Sequence, residues 1–161
     1  MPSREGWQEI NYAEGWQRVQ ALAQGFLNAG ADAPLMILSR NTIDHAVIMY
    51  GAMLAGIAVV PVTPAYALLS QDFARLNYVD DLVEPKFIYV EDGAEYQRGL
   101  DGMAVRDRLV LYSRNAPDGY QSQSLDAFAV PGGHSVAEAF DRLTSETVAK
   151  YMLTSGSTGE P

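Results

Sequence analysis

Leu35-Met36-Ile37-Leu38, Asn41-Thr42-Ile43-Asp44 and Ile57-Ala58-Val59-Val60 together decide the fold. The first is a short apolar run bounded by Pro34 and a polar cluster, the pattern of a buried strand. The second offers a helix cap with an acid in the first turn. The helix it starts carries Ala46, Val47, Tyr50, Met53 and Leu54 on one face and stops at Gly56. The third reads as another strand, ended by Pro61-Val62-Thr63-Pro64. A strand, a helix and a strand in such close succession form a βαβ unit, whose two strands run parallel.

The same alternation extends both ways. Upstream, Ala13, Trp16, Val19, Leu22, Ala23, Phe26 and Leu27 recur at threes and fours, and Asn28-Ala29-Gly30 supplies a stop. Downstream, Ser70 with Asp72 caps a third helix with Phe73, Leu76, Val79 and Val83 inward, ended by Pro85. Phe87-Ile88-Tyr89-Val90 and Leu109-Val110-Leu111-Tyr112 read as further strands, with a weakly helical stretch around Tyr96 to Leu100 between them. Residues 113 to 135 read as loop with one short helix near Leu125, followed by a helix over Val136 to Leu143 and a last strand at Tyr151 to Leu153. Alternating strands and amphipathic helices predict an α/β fold, a parallel sheet of βαβ units with helices on both faces. No domain boundary interrupts it; the Gly/Pro-rich stretch near residue 132 reads as a surface loop.

Composition narrows the function classes. The chain has 161 residues, 48% hydrophobic and 19% charged, which suits one folded domain rather than a disordered segment. It has no cysteine, so disulfides, thiolate-bound zinc and a thiol nucleophile are excluded within it. The net charge is −9 and the 11 Lys and Arg residues never cluster, which argues against nucleic acid or an anionic membrane as partner. No window approaches a membrane span and the N-terminus lacks a signal-peptide pattern, so a cytoplasmic location is expected.

The chemistry is concentrated at the C-terminal end. The strand-like Tyr151-Met152-Leu153 leads into Thr154-Ser155-Gly156-Ser157-Thr158-Gly159, six small residues followed by Glu160-Pro161. Such a run turns tightly, exposes backbone N–H groups and offers hydroxyls, as a bound polyphosphate requires. It is neither a Walker A loop nor G-x-G-x-x-G. A given five-residue word of this kind arises by chance in on the order of one in 10⁴ chains of this length. That favours a phosphate loop over a flexible Ser/Gly tail.

Thr154-Ser155-Gly156-Ser157-Thr158-Gly159-Glu160-Pro161 resembles the signature loop of the adenylate-forming superfamily, T-S-G-[ST]-T-G-x-P-K. Acyl-CoA synthetases, adenylation domains and firefly luciferase belong to it. Earlier elements resemble the same superfamily in order and spacing: Ile10-Asn11-Tyr12-Ala13-Glu14, Met36-Ile37-Leu38-Ser39-Arg40-Asn41, and Gly51-Ala52-Met53-Leu54-Ala55-Gly56 with Val60-Pro61-Val62-Thr63-Pro64. Pro64-Ala65-Tyr66 with Ser70-Gln71-Asp72-Phe73 is most similar to its feruloyl-CoA synthase branch, which points to phenylpropanoid catabolism.

The resemblance implies an ATP-dependent ligase that activates a carboxylic acid, here ferulate or a related hydroxycinnamate, as acyl-AMP and passes it to CoA. Thr154, Ser155, Gly156, Ser157, Thr158 and Gly159 would hold the β- and γ-phosphates of ATP, with Mg²⁺ sharing the charge. The sequence ends at Pro161, before the lysine of the pattern. Residues 1–161 are therefore expected to be an incomplete AMP-binding domain, the first part of the large N-terminal domain, inactive alone. The rest of the family's machinery lies downstream of its signature loop. Competing readings are an inactive relic, a free-standing anion-binding or interaction module, or a fragment of a fatty-acyl-CoA ligase. A sheet cut at its last strand is expected to expose apolar surface and an unpaired edge, and so to self-associate.

Other residues carry no site. His45 reads as a boundary histidine and His134 as solvated. Asp80-Asp81 and Glu91-Asp92 are adjacent pairs whose side chains point apart, read as solvated faces and not as metal ligands. Ser155 is not in G-x-S-x-G and has no assignable base, so no catalytic residue is expected. Trp16, Tyr50 and Phe73 read as core.

Overall fold

A parallel sheet with the strand order β2-β1-β3-β4-β5 organises the molecule. The computed structural model describes residues 8–30, 32–103 and 107–153. The strands are β1 (Leu35–Leu38), β2 (Val59–Val62), β3 (Phe87–Asp92), β4 (Leu109–Arg114) and β5 (Ser122–Ser124). The helices are α1 (Tyr12–Asn28), α2 (Ile43–Leu54), α3 (Pro64–Leu68), α4 (Ala74–Val83), α5 (Gly93–Met103), α6 (Leu125–Phe128) and α7 (His134–Asp141).

Strand periodicity divides the core in two. Leu35, Ile37, Val59, Phe87, Tyr89 and Leu111 point to the face covered by α1, α2, α6 and α7. Met36, Leu38, Val60, Val62, Ile88, Val90 and Val110 point to the opposite face, under α3, α4 and α5. All four side chains of β1 are fully buried, as a central strand covered on both faces requires. The first cluster centres on Phe26, which meets Phe87 and Phe128 edge-on at centroid distances of 5.3 and 4.9 Å.

Local signals bound the helices: the start of α2 is where the sequence suggests, whereas the Asn11 cap is not among the sequence expectations. Asn11 caps α1 in a reciprocal box with Glu14. Thr42 accepts from the backbone N–H of His45 to cap α2, and Gly56 follows at φ 81°, a conformation open to glycine. Ser70 and Asp72 accept from the N–H groups of Phe73 and Ala74 at the entrance to α4.

Several elements depart from the sequence reading. The inner face of α2 is Val47, Ile48, Gly51, Ala52 and Leu54, rotated from the expected one. Gly51 is the reason: α1 and α2 cross there, and a Cβ on it would lie 2.8 Å from Leu22 Cβ. The rotation leaves Tyr50 more than half exposed, and Trp16 on α1 is too, so neither is core. With Tyr12, Phe140 and Leu143 they line an open apolar groove of about 700 Å³ between α1, α2 and α7. A second exposed apolar group, Val148, Tyr151 and Met152, lies on the segment beside β2. The opposite sheet edge, β5, is the polar Ser122-Gln123-Ser124, a strand that its composition hid. The turn at Pro64 opens α3, where proline's fixed φ suits the first helical turn.

β2 also extends through Pro61 rather than ending before it. Leu35 N–H donates to Ala58 O, so the even-numbered residues of β2 address β1 and the odd-numbered ones face away. Proline at position 61 therefore removes no bond from the β1–β2 ladder.

Candidate functional site

The carboxyl ends of β1 and β3 meet where the chain order reverses, since β2 lies to one side of β1 and β3 to the other. Such switch points are where open α/β sheets bind ligands. Here the described side chains are largely engaged with one another. Ser39, buried at the end of β1, places Oγ 2.7 Å from Nδ1 of His45 in the first turn of α2. Burial pushes the His45 imidazole below its ordinary value, and the nearby Lys150 charge adds to the shift, against an opposing effect of Glu91.

Arg40 follows Ser39 and bridges two carboxylates. It pairs with Glu91 at the end of β3, which is only 4% exposed, and with Glu95 on α5 at 2.5 Å. Glu95's hydrogen bonds to Arg40 hold its carboxyl below the usual range and raise the guanidinium further. Asp92 is partly screened from water, which opposes ionisation. The Asn115 amide, the N–H groups of Ala94 and Glu95, and Arg114 together still draw its pKa down.

On the α1–α2 side, a hydrogen-bond chain runs from Tyr89 on β3 to Ser113 on β4 at 2.7 Å. It continues to Asp44 on α2 at 2.7 Å and ends in the Arg18–Asp44 ion pair at 2.5 Å. Burial raises the Tyr89 phenol well above its ordinary value, so it stays a neutral donor.

Two expectations about acids are overturned. Glu91 and Asp80 are not solvated: both are buried, paired with Arg40 and Arg108 respectively. Burial raises the Asp80 pKa despite the Arg108 partner, while Asp81 remains exposed. Adjacent acids do point apart, and in each pair the less exposed member meets an arginine distant in sequence. His134 is exposed as expected, and His45 is half-buried with a specific partner. Among the described residues, no group of three His, Cys, Asp or Glu side chains could hold a metal ion. No described helix is long and apolar enough to cross a membrane.

The expected phosphate-loop residues Thr154, Ser155, Gly156, Ser157, Thr158 and Gly159 lie outside the described residues. Their approach is described. Val59 N–H donates to Ala149 O at 3.1 Å and Tyr151 N–H to Val59 O at 2.9 Å, a single parallel bridge of Lys150 with Val59. Beyond it Met152 is exposed and Leu153 turns inward against the α3–α5 face. The expected strand over Tyr151 to Leu153 is thus not formed, and the one bridge lies just before it, at Lys150. That bridge still aligns the chain with β2 and heads it toward the carboxyl end of the sheet.

The fold and this approach define a doubly covered parallel α/β unit with a Ser/Thr/Gly-rich segment after its last pairing. The profile of the family described as AMP-binding enzyme matches residues 3–161, and the chain belongs to that family. Comparison with curated proteins gave no match. Among solved structures, the complex of VinN with 3-methylaspartate matches with a TM-score of 0.64 and 21% identity, over 94% of this chain and 38% of that one. ATP-bound MatB from Rhodopseudomonas palustris matches with a TM-score of 0.62 and 20% identity, over 98% of this chain and 29% of that one. The N-terminal subdomain of Klebsiella oxytoca NpsA matches with 0.61 and 17%, over 96% and 34%. These likenesses establish the fold, and the chain spans 29% to 38% of the length of these three structures.

Proposed function

We propose that residues 1–161 are the first part of an adenylating domain in an ATP-dependent acid–thiol ligase, with Thr154 to Gly159 as its phosphate loop. The observation that carries this reading is the family match, which runs through the Thr154-Ser155-Gly156-Ser157-Thr158-Gly159 segment to Pro161. The bridge at Lys150 supports it, because it directs the chain before that segment, up to Leu153, toward the carboxyl end of a parallel sheet, where such folds bind ligands.

In this reading a carboxylate attacks the α-phosphate of ATP, pyrophosphate departs, and the CoA thiol then displaces AMP from the acyl-AMP. The nucleophile is already an anion, so the step needs charge neutralisation and alignment rather than a strong base. The loop supplies both through backbone N–H groups and the hydroxyls of Thr154, Ser155, Ser157 and Thr158, with Mg²⁺ offsetting phosphate charge. The acid is ferulate or a related hydroxycinnamate, on the likeness of Pro64-Ala65-Tyr66 and Ser70-Gln71-Asp72-Phe73 to that branch. The cytoplasm, with its ATP and CoA, suits this activity.

Titration of the 161-residue chain with Mg²⁺–tripolyphosphate tests the loop. Saturable binding that Ser155→Ala with Thr158→Val weakens by about thirtyfold or more is expected, since each of the two lost charge-assisted bonds contributes about 1 kcal/mol or more. Affinity unchanged by both substitutions would overturn the assignment. The chain alone is expected to give no ATP–pyrophosphate exchange with ferulate. A substrate panel on a protein extending past Pro161 tests the acid, and fatty acids outperforming ferulate would refute it.

A further inference from the structure

We propose that Pro61 is a ladder stop, a positioning residue that ends sheet pairing at Lys150 and keeps the approach to the phosphate loop off the sheet. The hydrogen bonds set the geometry. Val59 uses both its N–H and its carbonyl on the side away from β1, toward Ala149 and Tyr151. In a parallel ladder the next bond on that side runs from the N–H of residue 61 to the carbonyl of Tyr151. Proline has no N–H to give. The rung is lost, and the described chain makes no further bridge to β2.

Without the proline, the register pairing Lys150 with Val59 would continue to Leu153 opposite Val62. The strand would then run to the residue before Thr154. Edge protection does not account for the proline by itself, because this edge is closed for one rung and then stopped. The stop coincides with the change from paired backbone to the Leu153 side chain packed on the α3–α5 face. One apolar anchor and two hydrogen bonds then carry the described segment as far as Leu153, with no strand pairing beyond the Lys150 rung. This role rests on the reading of Thr154 to Gly159 as a phosphate loop.

Amide hydrogen exchange by NMR on Pro61→Ala and Pro61→Val tests the stop directly. Both variants are expected to slow exchange at Leu153 by about tenfold or more, to show a protected new amide at position 61, and to weaken Mg²⁺–tripolyphosphate binding by about threefold or more. Pro64→Ala, outside the ladder, is expected to change neither. Unprotected amides at positions 61 and 153 in both variants would overturn the ladder stop. Protection gained with unchanged phosphate affinity would overturn its positioning role. Failure of the parent chain to bind tripolyphosphate refutes the phosphate-loop reading instead, and the exchange measurement still decides the stop.

Discussion

Nδ1 of His45 and Oγ of Ser39 lie 2.7 Å apart, joining the end of β1 to the first turn of α2. Burial and the Lys150 charge depress the imidazole pKa below its ordinary 6.5. A depressed histidine contributes stability that is full above 6.5 and lost as pH falls through the folded-state value. Melting temperature is therefore expected to drop on acidification through this window. His45→Gln should flatten that part of the profile; melts of both proteins across it, with equal slopes, would contradict the assignment.

Arg40 holds a buried carboxylate in place. Arg40→Ala strands Glu91 without its ion pair and is expected to cost about 1–3 kcal/mol in urea unfolding. Glu95 is more exposed, so Glu95→Gln should cost about 1 kcal/mol or less. Adding Glu91→Gln to Arg40→Ala should restore part of the loss, and an additive double mutant would show the pair to be uncoupled.

Two glycines should respond in opposite directions. Gly51→Ala drives a methyl into Leu22 at the α1–α2 crossing and is expected to destabilise by about 1–3 kcal/mol. Gly15→Ala sits inside α1 with only Ile10 nearby, at 3.9 Å, and should stabilise by about 0.5–1 kcal/mol. Equal melting temperatures for the two variants would refute the packing account.

Phe26 joins α1 to β3 and α6 through its edge-on contacts. Phe26→Ala is expected to cost about 3–5 kcal/mol, from lost burial and the cavity left behind. Phe140→Ala, on the rim of the exposed groove, should change stability by about 0.5 kcal/mol or less. Chemical denaturation of the two variants side by side checks the contrast.

Much of this was legible because it is local. The run Leu35 to Leu38 had to be a covered strand, and Thr42 with Asp44 had to start a helix, whatever packed on them. The misses were of another kind. β5 was hidden because Ser122-Gln123-Ser124 takes its strand geometry from pairing with β4, not from hydrophobicity. Tyr50 matched the period of α2 but lost the core to Ile48, because the small Gly51 lets α1 approach on a rotated face. Glu91 and Asp92 looked alike in sequence; sheet order set Glu91 beside Arg40 and left Asp92 to Asn115 and the start of α5.

By itself, then, the sequence determined the α/β alternation, the start of α2 and the family, since all three are written in residue types at fixed spacing. Only the tertiary structure decided which acids are buried, which face of α2 is inward and which side of β2 Pro61 disarms. Each of those depends on residues brought together by the order β2-β1-β3-β4-β5. Short-range periodicity constrains one element at a time, whereas burial and pairing are properties of two elements in register.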